Sequence, residues 1–474
     1  KQALYIHFEV LNQLINNLSI VLLDCQFYSL HLPNKVSCVF VVVLWKQKND
    51  MPGVPEFFNE KGGGCSACHY YIPGKEEMET VFVGDDQNED EEPVKKVHPL
   101  ITKSVHNNNC VRCHNRSGRI GISYMGIFES EGYGTPYENG GLSSKQLPGA
   151  RFYLEIADDV HHAKGMACID CHTREEIMGD GTSYAHYEDQ LEISCEVCHS
   201  DNPGMTRKKR PLINLHVGEK ENVLMSKVSG KSHQVKNVKK GVCDFPAHKR
   251  VSCEACHSTW VAQCYGCHVK RDDAKKHLDK LNQTETPGLW TEGRSYIRYE
   301  RPMLGVWNDD IVVVTPGCQD MVTVVDKKGE VDMHFDRFTM AAINPHTTQA
   351  KGRTCIDCHA STKTVGLGEG RLSMKDGVMT FEGTEKGVVT NAGQTVPLDA
   401  YVTLEGEALQ QSSRSDLRPF NGRELSAILR VGLCVRCHDQ YTEKIWLNYT
   451  AETVCTRTEE TNWAVSTARA WYVL

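Results

Sequence analysis

The sequence contains no apolar run that approaches the roughly 18 residues needed to cross a membrane as a helix; the longest, Val36–Trp45, is about ten residues long. A soluble chain without a membrane span is the simpler expectation. Positive charge is not in excess either: 53 Lys and Arg stand against 61 Asp and Glu, for a net charge of −8. There is therefore no basic footprint for nucleic acid. The composition shows neither collagen-like repetition nor the low hydrophobicity of a disordered chain, and 474 residues are enough to bury a core. No constellation of nucleophile, acid and base is recognisable. Val36–Trp45 follows Lys35 and has the apolar character of a secretory signal, but it lies far from Lys1 and lacks a small-residue cleavage pattern. Residues 1–60 read as an N-terminal extension.

What the chain does have is 21 cysteines and 21 histidines. Sixteen of the cysteines fall into eight Cys-x-x-Cys-His units. These are Cys65, Cys68 and His69; Cys110, Cys113 and His114; Cys168, Cys171 and His172; and Cys195, Cys198 and His199. The remainder are Cys253, Cys256 and His257; Cys264, Cys267 and His268; Cys355, Cys358 and His359; and Cys434, Cys437 and His438. Two thiols three positions apart on one turn suit thioether bonds to two vinyl groups of a haem, with the adjacent His beneath the iron. Zinc also uses paired Cys-x-x-Cys but has no need of a His after every pair. The spacing thus predicts eight covalently attached c-type haems. Such attachment takes place outside the bacterial cytoplasm, which points to a periplasmic or extracellular protein. Five cysteines, Cys25, Cys38, Cys243, Cys318 and Cys455, remain outside the units, and a Cys243–Cys318 disulfide is one option among several.

Thirteen histidines lie outside the units. Several sit a short way upstream of one, and His98, His106, His161, His162, His186, His233, His248 and His346 are read as second ligands, favouring iron held between two imidazoles and hence low potentials. His7 and His31 are far from any unit. From Cys65 to His438 there is one unit per about 47 residues, too little chain to give each its own domain core. The haems themselves are then expected to form the core. The fold expected is a multihaem cytochrome c, mostly short α-helices and irregular loops wrapped around a haem chain, with a small β insertion.

Along the chain this gives an extension at 1–60, haems one to six at 61–285, the β-rich insertion at 286–345, haems seven and eight at 346–450, and a tail at 451–474. Val, Ile, Tyr and Thr are frequent over Tyr296–Trp307 and Ile311–Val325, and DKKGE at 326–330 reads as a turn. Asn421–Leu433 reads as a helix with Leu425, Ile428, Leu429 and Leu433 on its apolar face. The six residues between His257 and Cys264 span at most ~20 Å, so those two haems should be neighbours.

The segments CVRCHNRSGRIGISYMGIFESEGYGTPY, HHAKGMACIDCHT, CEACHSTWVAQCYGCHVK and PHTTQAKGRTCIDCHASTKTVGLG resemble octahaem c-type cytochromes. The chain is similar to the octahaem tetrathionate reductase group and to extracellular electron-transfer cytochromes over about residues 65–445. The resemblance implies electron transfer through eight haems, with redox partner proteins or further copies of the chain as partners, and end-to-end polymerisation into a conducting filament as an extension. The alternative it implies is a terminal reductase of a sulfur or nitrogen oxyanion at one haem with an open or Lys-ligated distal site. Lys145 and Lys164 are the candidate lysines, although an ordinary surface position is the commoner fate of a lysine.

Overall fold

The computed structural model describes residues 65–71, 100–111, 113–115, 121–129, 145–147, 151–238, 240–243, 245–264, 267–279, 282–294, 297–375, 378–384, 388–389, 395–396, 399–435, 437–438, 440, 442–447 and 461–465. The chain divides into two compact lobes, the first built from 1–116, 144–153 and 166–236, the second from 117–143, 154–165 and 237–474. No helix among the described residues is long and apolar enough to cross a membrane.

In the first lobe three of the Cys-x-x-Cys-His units form single helical turns, α1 (Cys65–His69), α3 (Cys168–Cys171) and, after α4 (Arg174–Met178), α5 (Cys195–Cys198), while the second unit starts near the end of α2 (Asn107–Val111). Helices this short cannot persist alone, because nucleation costs more than one turn returns. Side chains from elsewhere hold them. Asp170, fully buried, accepts hydrogen bonds from Ala167 N (2.7 Å) and Lys227 N (2.6 Å), so α3 is capped and tied to the sheet chain at once. That sheet is an antiparallel meander of β1 (Leu215–Val217), β2 (Asn222–Met225) and β3 (Ser232–Val235). Met166, Val197, Leu212, Leu215 and Leu224 make the local apolar core.

The second lobe is dominated by strands. After α6 (Cys253–His257), β4 (Val261–Cys264) pairs with β7 (Ile297–Glu300). The main sheet has seven strands: β5 (Cys267–Asp279), β6 (Thr284–Arg294), β8 (Met303–Trp307), β9 (Asp310–Val325), β10 (Val331–Ala342) and, after the β11–β12 hairpin (Gly370–Lys375 and Val378–Gly383), β13 (Gln411–Ser412) and β14 (Leu417–Arg418). Strand β9 organises it. Its first half pairs antiparallel with β8, its second half runs parallel to β5, and β10 pairs along its length. The β8–β9 turn is Asn308–Asp309, both with positive φ (48° and 69°), the combination a two-residue type I′ hairpin requires. At the β9–β10 turn Asp326 Oδ1 accepts from Lys328 N (2.8 Å) and Glu330 N (2.9 Å), with Gly329 at φ 87°.

One face of this lobe buries Leu304, Val306, Val313, Leu367, Leu372 and Phe420. Helix α8 (Gly422–Cys434) lays Leu425 and Leu429, spaced i, i+4 and both fully buried, into the same core. Each such side chain contributes about 1.5–3 kcal/mol on burial. Gly406, at φ 92°, passes so close to Gly422 N at the start of α8 that no Cβ fits between them.

This architecture corrects the expected fold. The chain is mixed α/β rather than mostly helices and loops wrapped around cofactors, and in the second lobe polypeptide side chains form the core that haems were expected to fill. Nor is the sheet a small insertion: it reaches from Cys267 to Ala342 and recruits strands at 411–412 and 417–418.

Helix α8 begins with a capping box in which Asn421 and Glu424 cap each other's N–H groups. Burial raises the Glu424 carboxyl, but bonds from Arg418, Asn421 N and Arg250 outweigh it and bring it down to about 2. A carboxylate lowered on folding adds stability above its unfolded value, 4.5, and that stability is lost as pH falls towards 2. Denaturant titrations between pH 6 and pH 2 should therefore show stability falling, with a shallower fall in Glu424→Gln; equal slopes would contradict the assignment.

Candidate functional site

The Cys-x-x-Cys-His units are where the chemistry of this chain is concentrated. In a helical turn, residues i and i+3 share a face, so the two thiols of a unit lie together. Ser252 caps α6 by accepting from Ala255 N (3.3 Å). Thr354 and Asp357 form a capping box on α7 (Cys355–His359). In the second unit Cys110 lies in α2, and Cys113 N and His114 N both bond back to Cys110 O (3.1 and 2.9 Å). In the eighth, Cys434 ends α8 and His438 N bonds to Cys434 O (3.0 Å). The sixth unit differs: Cys264 closes β4 and Cys267 opens β5, so its backbone is extended rather than helical.

The histidines of six units are each held through Nδ1. His69 Nδ1 donates to Thr102 O (2.8 Å), His199 to Lys236 O (2.7 Å), His257 to Gln349 O (2.9 Å) and His359 to Ile428 O (2.9 Å). His172 is held instead by the Glu176 carboxylate (3.0 Å) and His438 by that of Glu443 (2.7 Å). A carbonyl or carboxylate can only accept, so Nδ1 carries a proton in each of these rings. An acceptor behind one ring nitrogen is the usual support for an imidazole whose other nitrogen is a ligand.

The histidines expected as second ligands have varied placements. His161 Nδ1 is bonded to the buried carboxylate of Asp159 (2.8 Å), His162 Nδ1 to Asp158 (2.9 Å) and His346 Nδ1 to Asn344 O (2.9 Å). His162 and His346 both lie edge-on to the buried Tyr124, at 5.1 and 6.3 Å between ring centroids. The His248 ring faces that of His359 at 6.0 Å with an interplanar angle of 27°. His186 is exposed, at the N-cap of the short helix Tyr187–Gln190, His233 is buried in β3, and His106 is half-buried just before α2. His98 lies outside the described residues, as do the side chains of His268 and Lys145. Lys164 is exposed.

Burial sets the protonation of several groups. It pushes the Cys198 thiol up to about 11 and raises Cys68 and Cys256. Burial also brings His359 down to about 4, so its imidazole is neutral at neutral pH. Burial opposes ionisation of Glu176, but the bonds from His172, Ile193 N and Glu192 N prevail and bring that carboxyl down to about 2.

Sequence reasoning did not find the anchors. Glu176 lies four residues after His172 and Asp158 four before His162, spacings that could have pointed to them. The carbonyls of Thr102 and Gln349 lie 33 and 92 residues from their histidines and leave no trace in the local sequence.

Compared with known proteins, the chain matches no family model, no characterised protein and no solved structure. Among the described residues no group of three or more His, Cys, Asp or Glu side chains is placed to hold a metal ion. With the mixed α/β architecture, this corrects the expectation of an octahaem cytochrome similar to the tetrathionate reductase group or to extracellular electron-transfer cytochromes. The eight haem c groups, electron transfer through them, the conducting filament built on them and the alternative of an oxyanion reductase fall with it.

The seventh unit gives a direct check of how these turns are held. Asp357 Oδ2 accepts from Thr354 N and Thr354 Oγ1 (both 2.8 Å), and Thr354 Oγ1 accepts from Asp357 N (3.3 Å). Thr354→Ala should destabilise the protein by about 0.5–2 kcal/mol. Denaturant unfolding with the midpoint unchanged would show that the cap does not hold the turn.

Proposed function

We propose that the Cys-x-x-Cys-His units are attachment sites, each offering two thiols and the neighbouring imidazole to a thiol-reactive group. The sites are Cys65, Cys68 and His69, and the corresponding residues of the other seven units. The observation that carries this reading is the Nδ1 anchor on six unit histidines, which fixes the orientation of each ring next to its pair of cysteines. Among the described residues the donors do not gather as they would around a bare ion. A rigid group with two thiol-reactive positions suits a pair of sulfurs on one helical turn instead. Anchored His161, His162 and His346 are further donors that such groups could meet in the second lobe. A periplasmic or extracellular location fits the cysteine count, and other proteins or further copies of the chain are the partners of this protein.

Intact-mass spectrometry of the protein isolated from its source cells, under denaturing conditions with a reductant and a chelator, tests this. The mass is expected to exceed that of the polypeptide by several equal increments, with one fewer in the double variant Cys355→Ala/Cys358→Ala. A bare polypeptide mass, with every cysteine open to alkylation, would overturn the reading.

A further inference from the structure

Glu176 stands apart from the other anchors because its two oxygens serve two different units. Its Oε2 accepts from His172 Nδ1 and Thr173 N, both at 3.0 Å, and so belongs to the third unit. Its Oε1 accepts from Glu192 N (2.5 Å) and Ile193 N (2.6 Å), the chain that enters the fourth unit at Cys195. The carboxylate is buried, and the Glu176 carbonyl accepts from Gln190 Nε2 on the same approach. The connection is reinforced one step further on. Glu192 is itself buried, and its carboxylate accepts from Thr173 Oγ1 (2.5 Å) and Thr206 Oγ1 (3.0 Å). Thr173 therefore links the two acids: its N–H bonds to Glu176 and its hydroxyl to Glu192.

We infer that Glu176 is a positioning residue that couples the third and fourth units, so that the orientation of the His172 ring and the entry of the chain into Cys195 are set together. In its attachment consequences this rests on the reading of the units as attachment sites; the coupling itself does not. A buried ionised carboxylate is the one side chain of this size that can accept from N–H donors on both sides. An amide of the same shape offers one accepting oxygen and an NH₂ that meets donors with a donor. It can satisfy the His172 side or the Ile193 side, not both.

Two variants of the full-length protein test this, Glu176→Gln and His172→Ala, read by amide hydrogen exchange and by the mass attached to each unit's peptide. In Glu176→Gln the attached mass should fall at both the third and the fourth units and stay full at the fifth and seventh. Loss at the third unit alone, or at neither, in a wild type that is fully loaded overturns the inference. Loss at every unit signals misfolding, and His172→Ala then decides. That variant removes only the imidazole, and coupling predicts exchange at Glu192 and Ile193 faster by about tenfold. Unchanged exchange there overturns the coupling. If the wild type carries no added mass, the attachment reading fails, and the exchange experiment still decides whether Glu176 couples the two segments.

Discussion

The bond from a unit histidine's Nδ1 to an acceptor outside the unit is the constraint on which the rest of this molecule depends. Where it is helical, the stretch between the two cysteines of a unit is about one turn, too short to fix its own orientation. The bond joins that turn to chain as far away as Gln349 is from His257 or Ile428 from His359. It also puts a proton on Nδ1 of the imidazole. Geometry and chemistry are set by one interaction, repeated with different partners along the chain.

The partners are of two kinds, and the difference is chemical. Carbonyls behind His69, His199, His257 and His359 supply a neutral acceptor. Carboxylates behind His172 and His438 supply a charged one, which makes the ring a stronger donor through its other nitrogen. The units are thus alike in sequence and unlike in electronic character. Their support differs too: in the first lobe polar groups such as Asp170 and Glu176 knit the turns together, whereas α6 and α8 in the second lobe lean on an apolar core built from sheet and helix.

Local features were legible in the sequence and long-range ones were not. Helix α8 could be read from the spacing of Leu425 and Leu429, because a helical stripe is a local pattern. The β9–β10 turn could be read from DKKGE, since Asp326 and Gly329 do there what those residue types do in any tight turn. The parallel pairing of β5 with β9 could not, because it joins His268 to Met321 across the intervening hairpins. The units themselves were plain in sequence, yet composition led to the expectation that cofactors would replace a protein core. Leu304, Val313 and Leu367 show why that failed in the second lobe: they lie on separate strands and loops and become a core only when the sheet assembles.

The central claim is that six unit histidines are locked with a proton on Nδ1. Nitrogen-15 NMR of the histidine rings at neutral pH measures this directly. The account predicts the Nδ1–H form for His69, His172, His199, His257, His359 and His438. An Nδ1 without a proton in these rings, or rapid exchange between the two tautomers, would contradict it.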